Sequence, residues 1–157
     1  MSKLFLAFIL IFSSGDIPPL NKKIISFIDS VIGEKVGRGE CWDLAATALD
    51  HAGAYLDRSN QKDIYVFGKK LNPSKDHIFP GDILQIENLK LEYTKGNTIY
   101  TENMSHHTAI IYEVIDQNQF KIAHQNTSFS GRTVGVSTLK MQNIKKGKVI
   151  FYRPYKK

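Results

Sequence analysis

The 157-residue sequence predicts an α+β fold in which N-terminal helices pack on an antiparallel β-sheet. Two observations predict it. Apolar residues recur at helical spacing in two stretches before residue 54, and short runs rich in β-branched and aromatic residues follow from residue 83 onward. A chain of this length fits one compact domain, and residues 16–157 are predicted to form it.

Two helices are predicted from the apolar spacing. The first follows the proline pair Pro18-Pro19 and ends at Gly33 or soon after, and the second opens at Cys41 and stops at Gly53. The link GRGE separates them. The second helix is predicted to pack closely because one of its faces carries small and aliphatic residues: Leu44, Ala45, Ala48, Leu49 and Ala52.

The rest of the chain is predicted to be mainly β. Residues 54–81 have the composition of an irregular connection, closed by the turn Pro80-Gly81. Residues 87–105 are interpreted as a long loop that contains one short strand. The predicted strands cover residues 83–86, 98–101, 108–114, 119–124, 133–137 and 149–153.

Residues 1–15 have the layout of a secretory signal: one lysine, an apolar run over residues 4–12, then small residues. A bilayer span needs about 20 apolar residues, so no stable membrane span is predicted. The expectation is an exported protein, periplasmic or extracellular. A buried first helix or an uncleaved interfacial anchor is the alternative.

Composition narrows the class of protein. An apolar fraction of 42% and a charged fraction of 23% are those of an ordinary folded domain and argue against disorder. The net charge of +6 favours anionic partners. Because Lys and Arg are scattered rather than clustered, nucleic acid is not predicted as a partner.

Cys41 is the only cysteine, which excludes an intramolecular disulfide and a metal site built on several thiolates. It opens a predicted helix, where free backbone N–H groups and the helix dipole stabilise a thiolate. The same N–H groups could bind the oxyanion of a tetrahedral intermediate. Cys41 is therefore a candidate nucleophile, and a packed core cysteine is the alternative.

A thiolate nucleophile needs an imidazole as its general base and a polar group that orients that imidazole. His106 and His107 begin a predicted strand, and only one of them can face Cys41 because side chains alternate. On the next strand, His124 and Asn126 are predicted to share a face and to supply the orienting group. No carboxylate spacing supports a metal site on these histidines, so no metal and no cofactor are predicted.

The order of these motifs resembles the CHAP amidase/peptidase and NlpC-type cell-wall hydrolases, which have papain-like folds. The resemblance covers about residues 35–126: a Cys opening a helix, the turn PGDIL, a strand reading HTAIIYEV, and KIAHQN on the following strand. It implies that Cys41 is the nucleophile, His107 the base and His124 the orienting residue. Asn126 corresponds to a second polar position of the CHAP group and is assigned to substrate binding.

The resemblance also implies a function. The expected reaction is hydrolysis of an amide bond through a thioester, with peptidoglycan peptides as substrate and an inhibitor or immunity protein as a candidate partner. Trp42 is assigned to the substrate groove, with a core anchor as the alternative. Other functions remain open: a non-catalytic module that binds wall polymers or proteins, or a secreted toxin-like amidase, deamidase or acyltransferase.

Overall fold

The computed structural model describes residues 15–157, so nearly all of the predicted leader lies outside the described residues. The helices α1 (Pro19–Val31) and α2 (Cys41–Ala52) precede six strands. The strands are β1 (Lys69–Leu71), β2 (Ile83–Lys95), β3 (Thr98–Asp116), β4 (Gln119–His124), β5 (Gly135–Lys140) and β6 (Ile144–Arg153). Short 3-10 turns cover Asp63–Tyr65 and Met141–Asn143. Within residues 15–157, no helix is long and apolar enough to cross a bilayer.

The six strands form one antiparallel sheet in the order β1-β6-β2-β3-β4-β5. Both helices cover one face, and this arrangement confirms the predicted α+β class. The core between helices and sheet contains Ile24, Ile28, Leu44, Ala48, Leu49, Ile83, Ile110 and Ala123. A second apolar cluster covers the opposite face and contains Leu84, Ile86, Ala109, Ile111, Phe120, Ile122 and Phe151.

The helix boundaries follow from local chemistry. Pro19 occupies the first helical position of α1, where its missing N–H costs nothing. Gly53 ends α2 in the left-handed conformation (φ 71°), and its N–H bonds the carbonyls of Asp50 and Leu49. Both predicted helices are therefore present, with the expected C-terminal stop at Gly53.

The interpretation of residues 87–105 as a long loop is wrong. β2 and β3 continue through this region as one long hairpin, joined at Gly96-Asn97 and paired from Lys95↔Thr98 to Ile83↔Ile110. The sequence carried the signal in the alternation of Leu89, Leu91 and Tyr93 and in the Gly-Asn pair, which suits a two-residue turn. The structure also adds the short strand β1, which was not predicted.

Candidate active site

Cys41 is the first residue of α2 and is partly accessible. The turn before it is tied to the helix by Asp43, whose buried carboxylate accepts a hydrogen bond from the Arg38 backbone N–H (2.8 Å) and two from the Arg38 guanidinium. Burial opposes the charged form of Asp43, but the hydrogen bonds from Arg38 outweigh it and lower the pKa of this carboxyl. The candidate nucleophile is therefore held in place by its own helix.

Gln125 holds the same turn from the sheet side. Its buried side-chain amide accepts a hydrogen bond from the Val36 N–H (3.1 Å) and donates to the carbonyls of Val36 (2.8 Å) and Glu40 (2.7 Å). Gln125 is not among the site residues predicted from the sequence. A neutral amide flanked by polar residues gives no sequence signal, and only the folded chain shows that it contacts the segment before Cys41.

A cavity of about 450 Å³ opens beside Cys41. Trp42 forms part of its wall and donates a hydrogen bond from Nε1 to the Ile64 carbonyl (2.7 Å), so the indole is anchored while it faces the cavity. The predicted site residues Cys41, Trp42 and Asn126 are thus brought together. The complete lining is Arg38, Glu40, Cys41, Trp42, Arg58, Ile64, Tyr65, His106 and Asn126.

The histidine that shares this cavity is His106, not His107. Opposite partners in an antiparallel pair lie on the same face, and His107 pairs with Ile86, which belongs to the cluster facing away from the helices. His106 lies on the helix side, where its ring packs edge-on against Tyr65 at a centroid distance of 4.3 Å. Of the two adjacent histidines, the structure thus places His106 at the cavity beside Cys41 and His107 on the opposite face.

On the helix face, the ring of His106 contacts Gln85, which is itself hydrogen-bonded to Thr108. Gln85 Nε2 lies 3.0 Å from His106 Nε2, and Thr108 Oγ1 donates to Gln85 Oε1 at 2.8 Å. Gln85 and Thr108 are directly opposite each other on β2 and β3 and are almost fully buried. The His106 imidazole is accessible from the cavity, and its Nε2 is hydrogen-bonded to the buried Gln85.

His107 and His124 form a pair of their own on the far face of the sheet. His107 Nε2 lies 2.9 Å from His124 Nδ1, and His124 Nε2 lies 2.8 Å from Ser137 Oγ. Burial, reinforced by the neighbouring His106, lowers the pKa of His107 to about 4, and burial with the neighbouring His107 lowers that of His124 to about 3. These imidazoles are neutral at pH 7, and the structure does not bring them to Cys41.

His124 and Asn126 do not follow the simple alternation of one strand. β4 ends at His124, and Asn126 has a positive φ of 60°, so the alternation of side chains stops between them. Asn126 turns toward α2 and donates to Glu40 Oε2 at 2.8 Å, while Arg132 pairs with Glu40 Oε1 at 2.8 Å. The loop after β4 thus forms one rim of the cavity.

Within residues 15–157, no cluster of three or more His, Cys, Asp or Glu side chains is arranged to hold a metal ion. The polar groups at the cavity are one thiol, one imidazole, one side-chain amide, one phenol, the indole N–H and charged side chains. This set suits nucleophilic catalysis or ligand binding through hydrogen bonds.

Fold and site together define a cysteine proteinase-like domain, with the cysteine at a helix N-terminus and a histidine on the adjacent sheet. Residues 20–157 match the AIM3/BBC1 cysteine proteinase-fold domain. The chain belongs to this family.

One relative is the Altered inheritance of mitochondria protein 3 of Debaryomyces hansenii, 31% identical over 147 residues. The alignment covers 83% of this chain and 15% of that protein, so the chain spans only a small part of its relative's length. Because the relative is a yeast protein, the family match gives no support to a peptidoglycan substrate.

Two solved structures are similar to the chain. The crystal structure of Ly7917 with the hydrolyzing product of MDP has a TM-score of 0.50 at 18% identity, covering 85% of this chain and 62% of that one. A second crystal structure of Ly7917 has a TM-score of 0.47 at 19% identity, covering 84% and 62%. At 18% identity the first of these likenesses supports the papain-like fold alone.

Proposed function

We propose that this domain is a cysteine hydrolase that cleaves a peptide bond or a related amide through a thioester, with Cys41 as nucleophile and His106 as general base. One observation carries the proposal: Cys41 at the tip of α2 and His106 on β3 line the same cavity. A thiol and an imidazole from two rigid elements, facing one open space, are the minimum set for nucleophilic acyl transfer.

The chemistry follows from these positions. His106 accepts the proton of Cys41 Sγ, and the thiolate attacks the carbonyl carbon of the substrate. The oxyanion that forms lies at the N-terminus of α2, where the Cys41 N–H and the helix dipole stabilise negative charge. His106 then protonates the leaving amine, and water hydrolyses the thioester and releases the acid.

The cavity wall favours a peptide-like substrate. Trp42, Tyr65 and Ile64 offer apolar contact area, and Arg38 and Arg58 line the same cavity. Peptides with an apolar or aromatic side chain beside the scissile bond fit this lining best. A peptidoglycan substrate rests on the sequence resemblance alone, and export to reach it remains a prediction that concerns residues 1–15.

Thiol reactivity tests the proposal without a known substrate. Iodoacetamide should alkylate Cys41 rapidly at pH 6 to 7, where an ordinary thiol with a pKa of about 8.5 reacts slowly. His106→Ala should slow the reaction at least about tenfold, because the thiolate loses its proton acceptor. His51→Ala, which removes an exposed imidazole from the other end of α2, is the matched control and should react like wild type.

Equal alkylation rates for the His106→Ala and His51→Ala variants would reject the hydrolase proposal and favour a non-catalytic binding module. If the rates differ, peptide libraries and purified cell wall can be incubated with wild type and with Cys41→Ala, and the products analysed by mass spectrometry. Cleavage by the wild type alone identifies the bond.

A further inference from the structure

The orienting group of the proposed histidine base lies on an unexpected strand. The sequence predicts this group on β4, after the histidine strand. In the folded chain, β4 contributes His124 to the opposite face, and the polar side chain that reaches His106 comes from β2, on the other side of β3. It is Gln85, which has 1% of its surface exposed.

The hydrogen bonds of Gln85 determine which tautomer of the His106 ring is compatible with its amide. Its Oε1 is occupied by the Thr108 hydroxyl, so its Nε2 faces His106 Nε2. An amide nitrogen only donates, so His106 Nε2 accepts and the ring proton of the neutral imidazole lies on Nδ1. This arrangement suits a neutral imidazole and not an imidazolium, whose Nε2–H would meet a second donor.

The ion-pair form of the site requires the opposite arrangement. Because Nε2 faces Gln85, the proton of Cys41 can be accepted only at Nδ1, which carries the ring proton in this tautomer. Proton transfer therefore first requires the other tautomer, with hydrogen on Nε2 and a free Nδ1. After the transfer both ring nitrogens carry hydrogen, and in both of these states Nε2–H needs an acceptor. Gln85 can provide one by turning its amide so that Oε1 faces the ring. Thr108 allows this because a hydroxyl can accept from the Gln85 amide as well as donate to it. The cost is the weak bond from Gln85 Nε2 to the Ile86 carbonyl at 3.4 Å.

We propose that Gln85, with Thr108 beneath it, is the positioning residue of the site and that rotation of its amide controls whether His106 is held as imidazole or as imidazolium. This inference rests on the proposed function, because it needs Cys41 and His106 to act as a pair. Gln85 acts through His106 and does not touch the substrate.

The measurement is the pH dependence of Cys41 alkylation by iodoacetamide in the 157-residue chain, with thermal unfolding recorded for each variant. Gln85→Glu supplies a permanent acceptor and should shift the midpoint of the profile to lower pH by about one unit or more. Gln85→Leu removes the acceptor and should shift it upward. Thr108→Val removes the donor that occupies Oε1, so the amide can turn toward His106 and the midpoint should again fall.

A merely structural role predicts lower thermal stability and an unchanged midpoint. The inference is overturned if Gln85→Leu and Thr108→Val fail to shift the midpoint in opposite directions, and this pair decides the matter even if the buried glutamate of Gln85→Glu prevents folding. His106→Ala separates the two hypotheses. If its profile equals that of wild type, the proposed function fails; if its profile changes while those of the Gln85 and Thr108 variants do not, only the positioning role fails.

Discussion

Arg153 of β6 donates two hydrogen bonds to Asp82 at the start of β2, from Nε to Oδ1 at 2.6 Å and from Nη2 to Oδ2 at 2.9 Å. Asp82 is fully buried and also accepts from Asn21 Nδ2 (2.8 Å) and from the Phe79 N–H (2.9 Å). One carboxylate therefore joins α1, the turn PGDIL and β6. This explains why an aspartate occupies that turn.

Replacing Asp82 with Asn should strongly destabilise the domain. The Arg153 guanidinium would lose its counter-charge in a mostly buried position, a loss that typically costs about 3 to 5 kcal/mol in the free energy of unfolding. Urea denaturation measures it. Asp50→Asn is the control, because it breaks an exposed pair with Arg58 and should cost about 1 kcal/mol or less. Similar losses in the two variants would contradict the role assigned to Asp82.

Gln125→Leu should both destabilise the chain and slow the reaction of Cys41. The change leaves the Val36 N–H and two carbonyls without their partners, and buried unpaired polar groups cost about 1 to 3 kcal/mol each. The turn before Cys41 would loosen as a result. Urea denaturation and the alkylation rate at pH 7 measure the two effects.

Gln119→Leu provides the comparison for that variant. Gln119 is only half-buried at the start of β4, and the same chemical change there should alter stability by less than about 1 kcal/mol. If Gln125→Leu alkylates as fast as Gln119→Leu, then Gln125 is not needed to hold the nucleophile.

The buried pair of His107 and His124 should make stability depend on pH. Their pKa values of about 4 and about 3 lie below the unfolded value of 6.5, so below pH 6.5 the unfolded chain binds protons that the folded chain does not. Stability from this pair is complete above pH 6.5 and falls as the pH drops toward 4. Each such proton contributes a slope of about 1.4 kcal/mol per pH unit.

The free energy of unfolding, measured by urea at pH 7, 6, 5 and 4, tests this. His124→Gln keeps a polar side chain but cannot titrate, so its curve should be flatter than that of wild type between pH 6.5 and 4. His51→Ala removes an exposed histidine and should parallel wild type. A wild-type stability that increases on acidification would show that the pair is charged in the folded state.

The sequence alone was sufficient for the elements whose signals are local. The sequence predicts helix α2 with its start at Cys41 and its stop at Gly53, because a terminating glycine and a face of small residues can both be recognised in a sequence. The part of the β2–β3 hairpin that covers residues 87–105 is not predicted, because its turn at Gly96 is interpreted as part of a loop. The predicted position of Cys41 at the start of a helix is confirmed, and its role as nucleophile stays a prediction.

The histidine assignment needed the fold. His106 and His107 are adjacent, and the pleat direction of β3 decides which one faces α2. That direction depends on the pairing of Ile86 with His107 between β2 and β3, which is known only once the chain is folded. Gln125 and Gln85 could not be predicted as site residues for a similar reason. A neutral amide adds nothing to the charge pattern of a sequence, and its importance depends on the partners that folding brings to it.

The adjacent imidazoles of β3 also affect how homologous sequences are aligned. If an alignment gap is misplaced by one position, a homologue's histidine is matched with His107 instead of His106, or the reverse. The alignment column of the proposed base therefore cannot be identified from the histidine alone. The residues that follow the two histidines show which alignment is correct. Thr108 and Ile110 lie on the side of β3 that faces the helices, and Ala109 and Ile111 lie on the other side. Family members that retain histidine at only one of the two columns would reveal which imidazole selection preserves.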